Sequence, residues 1–184
     1  PLSTRFNVSA FGCLGYELDL KYLTPMEKKE IRGQIEFYKA QRSLFQYGRF
    51  FRHRAIKPNK VHWQVLSRDG RRGIAGFFQT LSSASEGYDR LPLTALDPHA
   101  RYRLSTRPQR LFLQRFGGLL KHIMPWTLHP EGFILRNANR FYALTDCVES
   151  YEAYGDALMV GVKLNNQFVG SHYNPQIRLL GDYG

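Results

Sequence analysis

The sequence predicts a mostly β chain: one strand and one long helix, followed by an antiparallel, Greek-key-like β-sandwich. Three observations carry that expectation. A strand-like run ends in a glycine-rich turn, a helix with complete start and stop signals follows it, and beyond Gly48 short strands alternate with turn residues at regular intervals.

Taken in order, "TRFNVSAF" (residues 4–11) mixes β-branched, aromatic and small residues as a buried strand does, and Gly12 and Gly15 punctuate the turn after it. In α/β architectures the loops after strand C-termini line the functional mouth. Phe11, Gly12, Cys13 and Gly15 are therefore the candidate ligand-facing residues of this turn, provided the strand belongs to a barrel. The next element is a helix. Thr24 suits the N-cap, Pro25 the first helical position, and Glu27 can close a capping box, while Gly48 supplies the stop. Ile31, Ile35, Tyr38, Arg42 and Phe45 recur at helical spacing, with Lys28, Lys29, Arg32, Glu36 and Lys39 around the remainder. One strand and one helix cannot bury that face alone.

The strands expected next are "RFFRHR", "KVHWQVLS", "GIAGFFQTL", "RLPL" and "RYRL", separated by "KPN", "RDGR", "SSASEG" and "LDPHA". Alternation sets Val61, Trp63 and Val65 on one face and His62, Gln64 and Leu66 on the other, and Trp63 reads as a core anchor rather than a sugar platform. A short helix is expected around Leu119 to Met124, ended by Pro125. "YEAYGDALMVGVKL" and "NPQIRLLGDYG" read as closing strands around the loop "NNQFVGSHY". The expected division is 1–47 for the strand–helix unit and 48–184 for the sandwich.

Composition bounds the function. The 184 residues are 43% hydrophobic and 22% charged, an ordinary globular balance. The 26 Lys+Arg and 15 Asp+Glu give a formal charge of +11, but the basic residues are dispersed, so neither nucleic acid nor a membrane surface is expected as partner. Cys13 and Cys147 are too few for a disulfide framework and fit a reducing, cytoplasmic setting. No signal-peptide layout opens "PLSTRFNVSA" and no long apolar run occurs. The chain starts inside an apparent strand and stops as another ends, so both termini read as cut.

Candidate chemistry is sparse. In extended "YELDL" Glu17 and Asp19 share a face and could act as the acid and nucleophile of a retaining glycosidase, whose carboxylates stand about 5 Å apart. The plainer reading, which the sequence favours, has them bonding backbone amides or an arginine on the way into the helix, since catalytic pairs usually come from different strands. His53, His62, His99, His122, His129 and His172 show no metal-ligand spacing, and no metal or cofactor is expected. Cys13 is either a nucleophile, which would need a histidine nearby, or a small residue packed beneath a loop. "GCLG" and "GDALMVG" lack the strand-to-helix phosphate pattern.

The run "TRFNVSAFGCLGYELDLKYLTPMEKKEIRGQIEFYKAQRSLFQYGRFFR" closely resembles the end of the catalytic barrel in the α-galactosidases of glycoside hydrolase family 36. The resemblance continues through "NKVHWQVLSRD", "LTALDPHARYRL" and "YGDALMVGVKL", covering nearly the whole chain, and residues 107–143 look most like lactic-acid-bacterial relatives. It implies that 1–47 is the last strand and helix of a (β/α)8 barrel and 48–184 the C-terminal β-sandwich, its last "SRLY"-like strand missing. It implies a retaining enzyme that takes terminal α-galactose from melibiose- and raffinose-type oligosaccharides, without cofactor, and that is a homo-oligomer at full length. Its two catalytic aspartates belong to "KWD" and "CxxGGxRxD"-like blocks that this chain lacks. Glu17 and Asp19 then fall on structural positions, no catalytic residue is present, and the isolated chain is expected to be inactive. Two other classes stay open: a stand-alone carbohydrate-binding sandwich using exposed aromatics such as Trp126 or Tyr173, and a polyanion-binding module.

Overall fold

The computed structural model describes residues 2–53, 59–79, 90–107, 110–111, 133–134, 137, 144–145 and 150–163. The expected helix around Leu119, the expected strand in "NPQIRLLGDYG", and Cys147, Trp126, Tyr173, His122, His129 and His172 lie outside the described residues.

The N-terminal segment corrects the first expectation. Leu2–Ser9 is a helix, α1, not a strand. Burial follows a period of four: Phe6 and Ala10 are inside while Val8, which a strand would bury with them, is 43% exposed. Among the described residues no strand lies beside the segment to accept its amides, so they are satisfied along the segment itself and α1 lies across the long helix.

That helix, α2, runs Pro25–Tyr47 with the expected cap: Thr24 Oγ1 accepts from the Glu27 amide at 3.2 Å, and Glu27 Oε2 accepts from the Thr24 amide at 2.7 Å. The buried stripe is Ile31, Gln34, Tyr38 and Leu44, with Arg42 outside it. Gln34 replaces Arg42 because α1 and the 10–16 turn cover the helix on that side and offer Gln34 a partner, Tyr16. Phe6, Ala10 and Tyr38 form a small core with Leu14, Tyr16, Phe37 and Phe45 packed on it.

From Gly48 onward the described chain is mostly strands in antiparallel sheets. β1 (Arg49–His53), β2 (Lys60–Leu66) and β3 (Gly73–Gln79) form a three-stranded meander with Phe51 opposite Gln64, His53 opposite His62, and Trp63 opposite Gly76. The β2–β3 turn is built as the "SRDGR" run suggests: Gly70 adopts φ +74°, its amide donates to the Ser67 carbonyl at 3.0 Å, and Asp69 Oδ1 accepts from the Ser67 hydroxyl and the Arg71 amide. The remaining strands pair at long range. β4 (Arg90–Leu91) pairs with β9 (Val162–Lys163), β5 (Arg101–Ser105) with β8 (Ser150–Tyr154), and β6 (Arg110–Leu111) with β7 (Leu144–Thr145).

A second correction concerns "YGDALMVG". Strand β8 stops at Tyr154, and Gly155–Val160 is a short helix, α3, before β9. Leu158 faces inward at 3% exposure, and Gly161, at φ +131°, ends the helix.

The meander is covered on both sides. One face presents Phe51, Leu66 and Phe77 to a core of Leu91, Leu96, Leu158 and Val162. The opposite face presents Phe50, Trp63 and Phe78 to Phe11. Central strand β2 therefore has Lys60, His62, Gln64, Val65 and Leu66 all buried, where simple alternation anticipates one inward set.

Candidate functional site

The glycine-rich turn leaves α1 through amides that donate backwards: Ala10 to the Phe6 carbonyl at 2.9 Å and Gly12 to the Ser9 carbonyl at 3.0 Å. Its four candidate residues separate. Phe11 turns inward, and Gly12, Cys13 and Gly15 are exposed. Cys13 carries a free thiol on the surface, so the packed-beneath-a-loop reading does not hold. A Cβ at Gly15 would meet nothing within 4 Å and one at Gly12 would have ordinary contact at 3.8 Å, so packing within the described chain does not require glycine at either place.

Phe11 is the hub of an aromatic cluster joining the helices to the meander. Its ring centroid lies 5.4 Å from Phe45, 5.8 Å from Trp63, 6.2 Å from Phe78 and 6.3 Å from Phe50, all edge-on. The close approach is possible because Gly76 stands beneath it: a Cβ there would come within 2.8 Å of both Phe11 and Phe78. Trp63 is thus a core anchor, as expected.

The two carboxylates lie on the surface. Asp19 is exposed and caps a single 3-10 turn, Leu20–Tyr22, its Oδ1 accepting from the Lys21 amide at 2.9 Å. Glu17 is also exposed. Behind the turn lies a polar cluster that sequence reasoning missed. The Tyr16 hydroxyl donates to Gln34 Oε1 at 2.6 Å, and Gln34 Nε2 donates to Glu30 Oε1 at 3.1 Å. Arg107, just beyond β5, lays its guanidinium 4.2 Å over the Phe37 ring and 4.8 Å over Phe6. Burial and the Glu30 carboxylate push the Tyr16 phenol up, and Arg107 pulls it partly back. Nothing local in the sequence marks Arg107, which reaches these partners only through folding.

The blocks "SRDG", "ALDPHARY" and "YGDALMVG", far apart in sequence, meet at one point. The Tyr102 hydroxyl donates to the Gly70 carbonyl at 3.0 Å and accepts from the Asp97 amide at 3.1 Å. Gly155 donates to the Ala100 carbonyl at 3.0 Å and Asp156 to the Pro98 carbonyl at 3.3 Å. A Cβ on Gly155 would collide with the Asp97 carbonyl, so the approach requires glycine. Asp97 is committed here too, its Oδ1 accepting from the His99 amide at 3.0 Å. This junction is structural. On the outer face of the β5–β8 pair, Glu152 lies 2.9 Å from both Arg101 and Arg103, which hold its carboxyl below the usual range.

Among the described residues no three His, Cys, Asp or Glu side chains gather as a metal site would need, and no helix is long and apolar enough to cross a membrane. A helical unit is docked by aromatic rings on strand-rich antiparallel sheets. Residues 60–184 match the glycosyl hydrolase family 36 C-terminal domain, and residues 1–48 match the family described as melibiase. The chain belongs to glycoside hydrolase family 36.

Its relatives are α-galactosidases. The chain is 35% identical over 104 residues to α-galactosidase AgaA of Geobacillus stearothermophilus, covering 56% of this chain and 14% of that protein. It is also 35% identical over 103 residues to α-galactosidase 1 of Pediococcus pentosaceus, covering 55% and 14%. Among solved structures, the α-galactosidase from Lactobacillus brevis superposes with a TM-score of 0.61 at 28% identity, over 90% of this chain and 17% of that one. The Geobacillus stearothermophilus AgaA A355E D548N variant in complex with raffinose gives 0.62 at 26%, over 92% and 18%. The chain thus spans about a seventh of the length of the curated relatives it matches.

Proposed function

We propose that this chain is the C-terminal part of a retaining α-galactosidase that removes terminal α-galactosyl residues from melibiose- and raffinose-type oligosaccharides. The observation that carries the reading is the ordered pair of family matches, melibiase over 1–48 and the family 36 C-terminal domain over 60–184, on one chain. Residues 1–47 would belong to the end of the catalytic barrel and 48–184 to the C-terminal sandwich, the aromatic cluster around Phe11 joining the two. The reacting aspartates would lie outside this chain. Relatives crystallised with raffinose and with stachyose support the substrate class. Gly12, Cys13 and Gly15, exposed and unconstrained by packing here, would be the residues of this turn that border the substrate mouth, with Phe11 held in the aromatic cluster behind them. The complete enzyme would act in the cytoplasm as a homo-oligomer.

The test has two arms. The purified 184-residue protein should not hydrolyse an aryl α-galactoside above the level of a mock preparation from the same host. A protein extended by the coding region upstream of Pro1 should release galactose from raffinose. Turnover by the short chain, or none by the extended one when folded, overturns the proposal.

A further inference from the structure

We propose that His53 and His62 form an acid-sensitive latch holding the β1–β3 meander to the segment that carries Thr94. The two residues are direct cross-strand partners, and their rings stack 4.0 Å apart at an interplanar angle of 7°. Ring lone pairs lie in the ring plane, so parallel stacked imidazoles cannot converge on one metal ion. The stack tolerates two neutral rings, or one cation on a neutral ring, but not two cations.

The pair sits where two layers are fastened. Gln64, next along the same face as His62, donates to the Thr94 carbonyl and accepts from the Thr94 amide, both at 2.8 Å. The Thr94 hydroxyl lies 3.4 Å from His53 Nε2 and 3.5 Å from Nδ1. The following residue, Ala95, is held at φ +57°, a left-handed backbone that a Cβ disfavours. A segment held in that conformation depends on the contacts fixing it.

His62 is 6% exposed and its Nε2 has no hydrogen-bond partner, so protonation would bury a charge and add an unsatisfied donor. Burial foremost, and then the neighbouring His53, lower its pKa to about 4. On β2 the charged residue of the same face is Lys60, itself buried. On β1, Arg52 belongs to the opposite face and Arg49, which shares the face of His53, is exposed with its guanidinium over the Phe51 ring; on β3 the residue opposite His62 is Phe77. On the Thr94 segment the carboxylate is Asp97, which accepts from its own turn's His99 amide. With a folded pKa below the unfolded value, the unfolded state takes up more protons. Stability is therefore complete above about pH 6.5 and falls toward pH 4, by up to about tenfold in the unfolding constant per pH unit.

The test follows unfolding of the whole 184-residue chain at about pH 7 and about pH 5 for the wild type, H62F and H53F. Between those pH values His62 should cost the wild type about twentyfold in the unfolding constant; H62F, which keeps the ring shape without the proton site, should lose about twentyfold less, and H53F, which leaves His62 buried, should keep most of the loss. An equal acid loss in H62F overturns the proposal. If H62F does not fold, imidazole resonances of the wild type decide: His62 should stay neutral below pH 5, and an ordinary midpoint near 6.5 refutes the latch. Amide exchange then separates a latch from general acid softening. Protection at the Thr94 amide, corrected for intrinsic rate, should fall more steeply with acid than at Tyr38 in α2, and parallel losses would overturn the local reading.

Discussion

Replacing Phe11 with alanine removes the ring through which the helical unit holds the meander. Truncating a fully buried phenylalanine costs about 3–5 kcal/mol. Phe11 is half-buried and one of its partners, Phe50, is 51% exposed, which brings the expected loss to about 2–3 kcal/mol. For a chain of this length each kcal/mol lowers Tm by about 2–4 °C, so a fall of about 4–12 °C is expected. Urea unfolding followed by far-ultraviolet circular dichroism gives the free energy. A double-mutant cycle of F11A with F45A isolates the pair contact at 5.4 Å, which should couple by about 0.5–1.5 kcal/mol. Gly76→Val tests the same contact from below, since its Cβ would meet Phe11 and Phe78 within 2.8 Å. A cost for F11A under about 0.5 kcal/mol, with no coupling, would refute the view that the rings dock the two parts.

Gly155→Ala should destabilise by about 2 kcal/mol or more, because its Cβ has to displace the Asp97 backbone, and thermal unfolding measures it. Gly33→Ala should stabilise by about 0.5–1 kcal/mol, since Gly33 is exposed in the middle of α2 with open space at its Cβ. The Tyr16 phenol, raised by burial and Glu30, should ionise above the ordinary range near 10 in an ultraviolet pH titration of the folded protein. The sign follows: the folded state keeps that proton longer, so the associated stability is present below pH 10 and is lost as the pH rises past it. Arg107→Met should move the Tyr16 ionisation higher still, and an unchanged midpoint would contradict the proximity of the two groups.

How far the sequence could be read depended on the range of the determining contacts. The cap of α2 was legible because Thr24, Pro25 and Glu27 are within four residues of one another and Thr24 and Glu27 bond each other directly. The meander was legible because its "SRDGR" turn closes within six residues, with Ser67 donating to the Arg72 carbonyl at 2.8 Å. The glycine-rich turn was found, but which of its residues face inward was not. Phe11 is drawn in by rings from α2, β1, β2 and β3, none of which its neighbours in sequence reveal.

The sequence by itself determined the long capped helix, the paired strands after Gly48 and the family resemblance. Each rests on near neighbours or on ordered motifs. Only the tertiary structure decided that 2–9 is helical, that "GDALMV" is a helix between two strands, that Gln34 rather than Arg42 is buried, and that β2 is covered on both faces. In the two short helices propensity is weak, and the outcome is set by what lies opposite: Tyr38 beneath Phe6, and the Asp97–Ala100 turn against Gly155. Chemistry local to the chain fixed the long helix and the meander, and contacts between distant residues fixed the two short helices and which faces the elements hide.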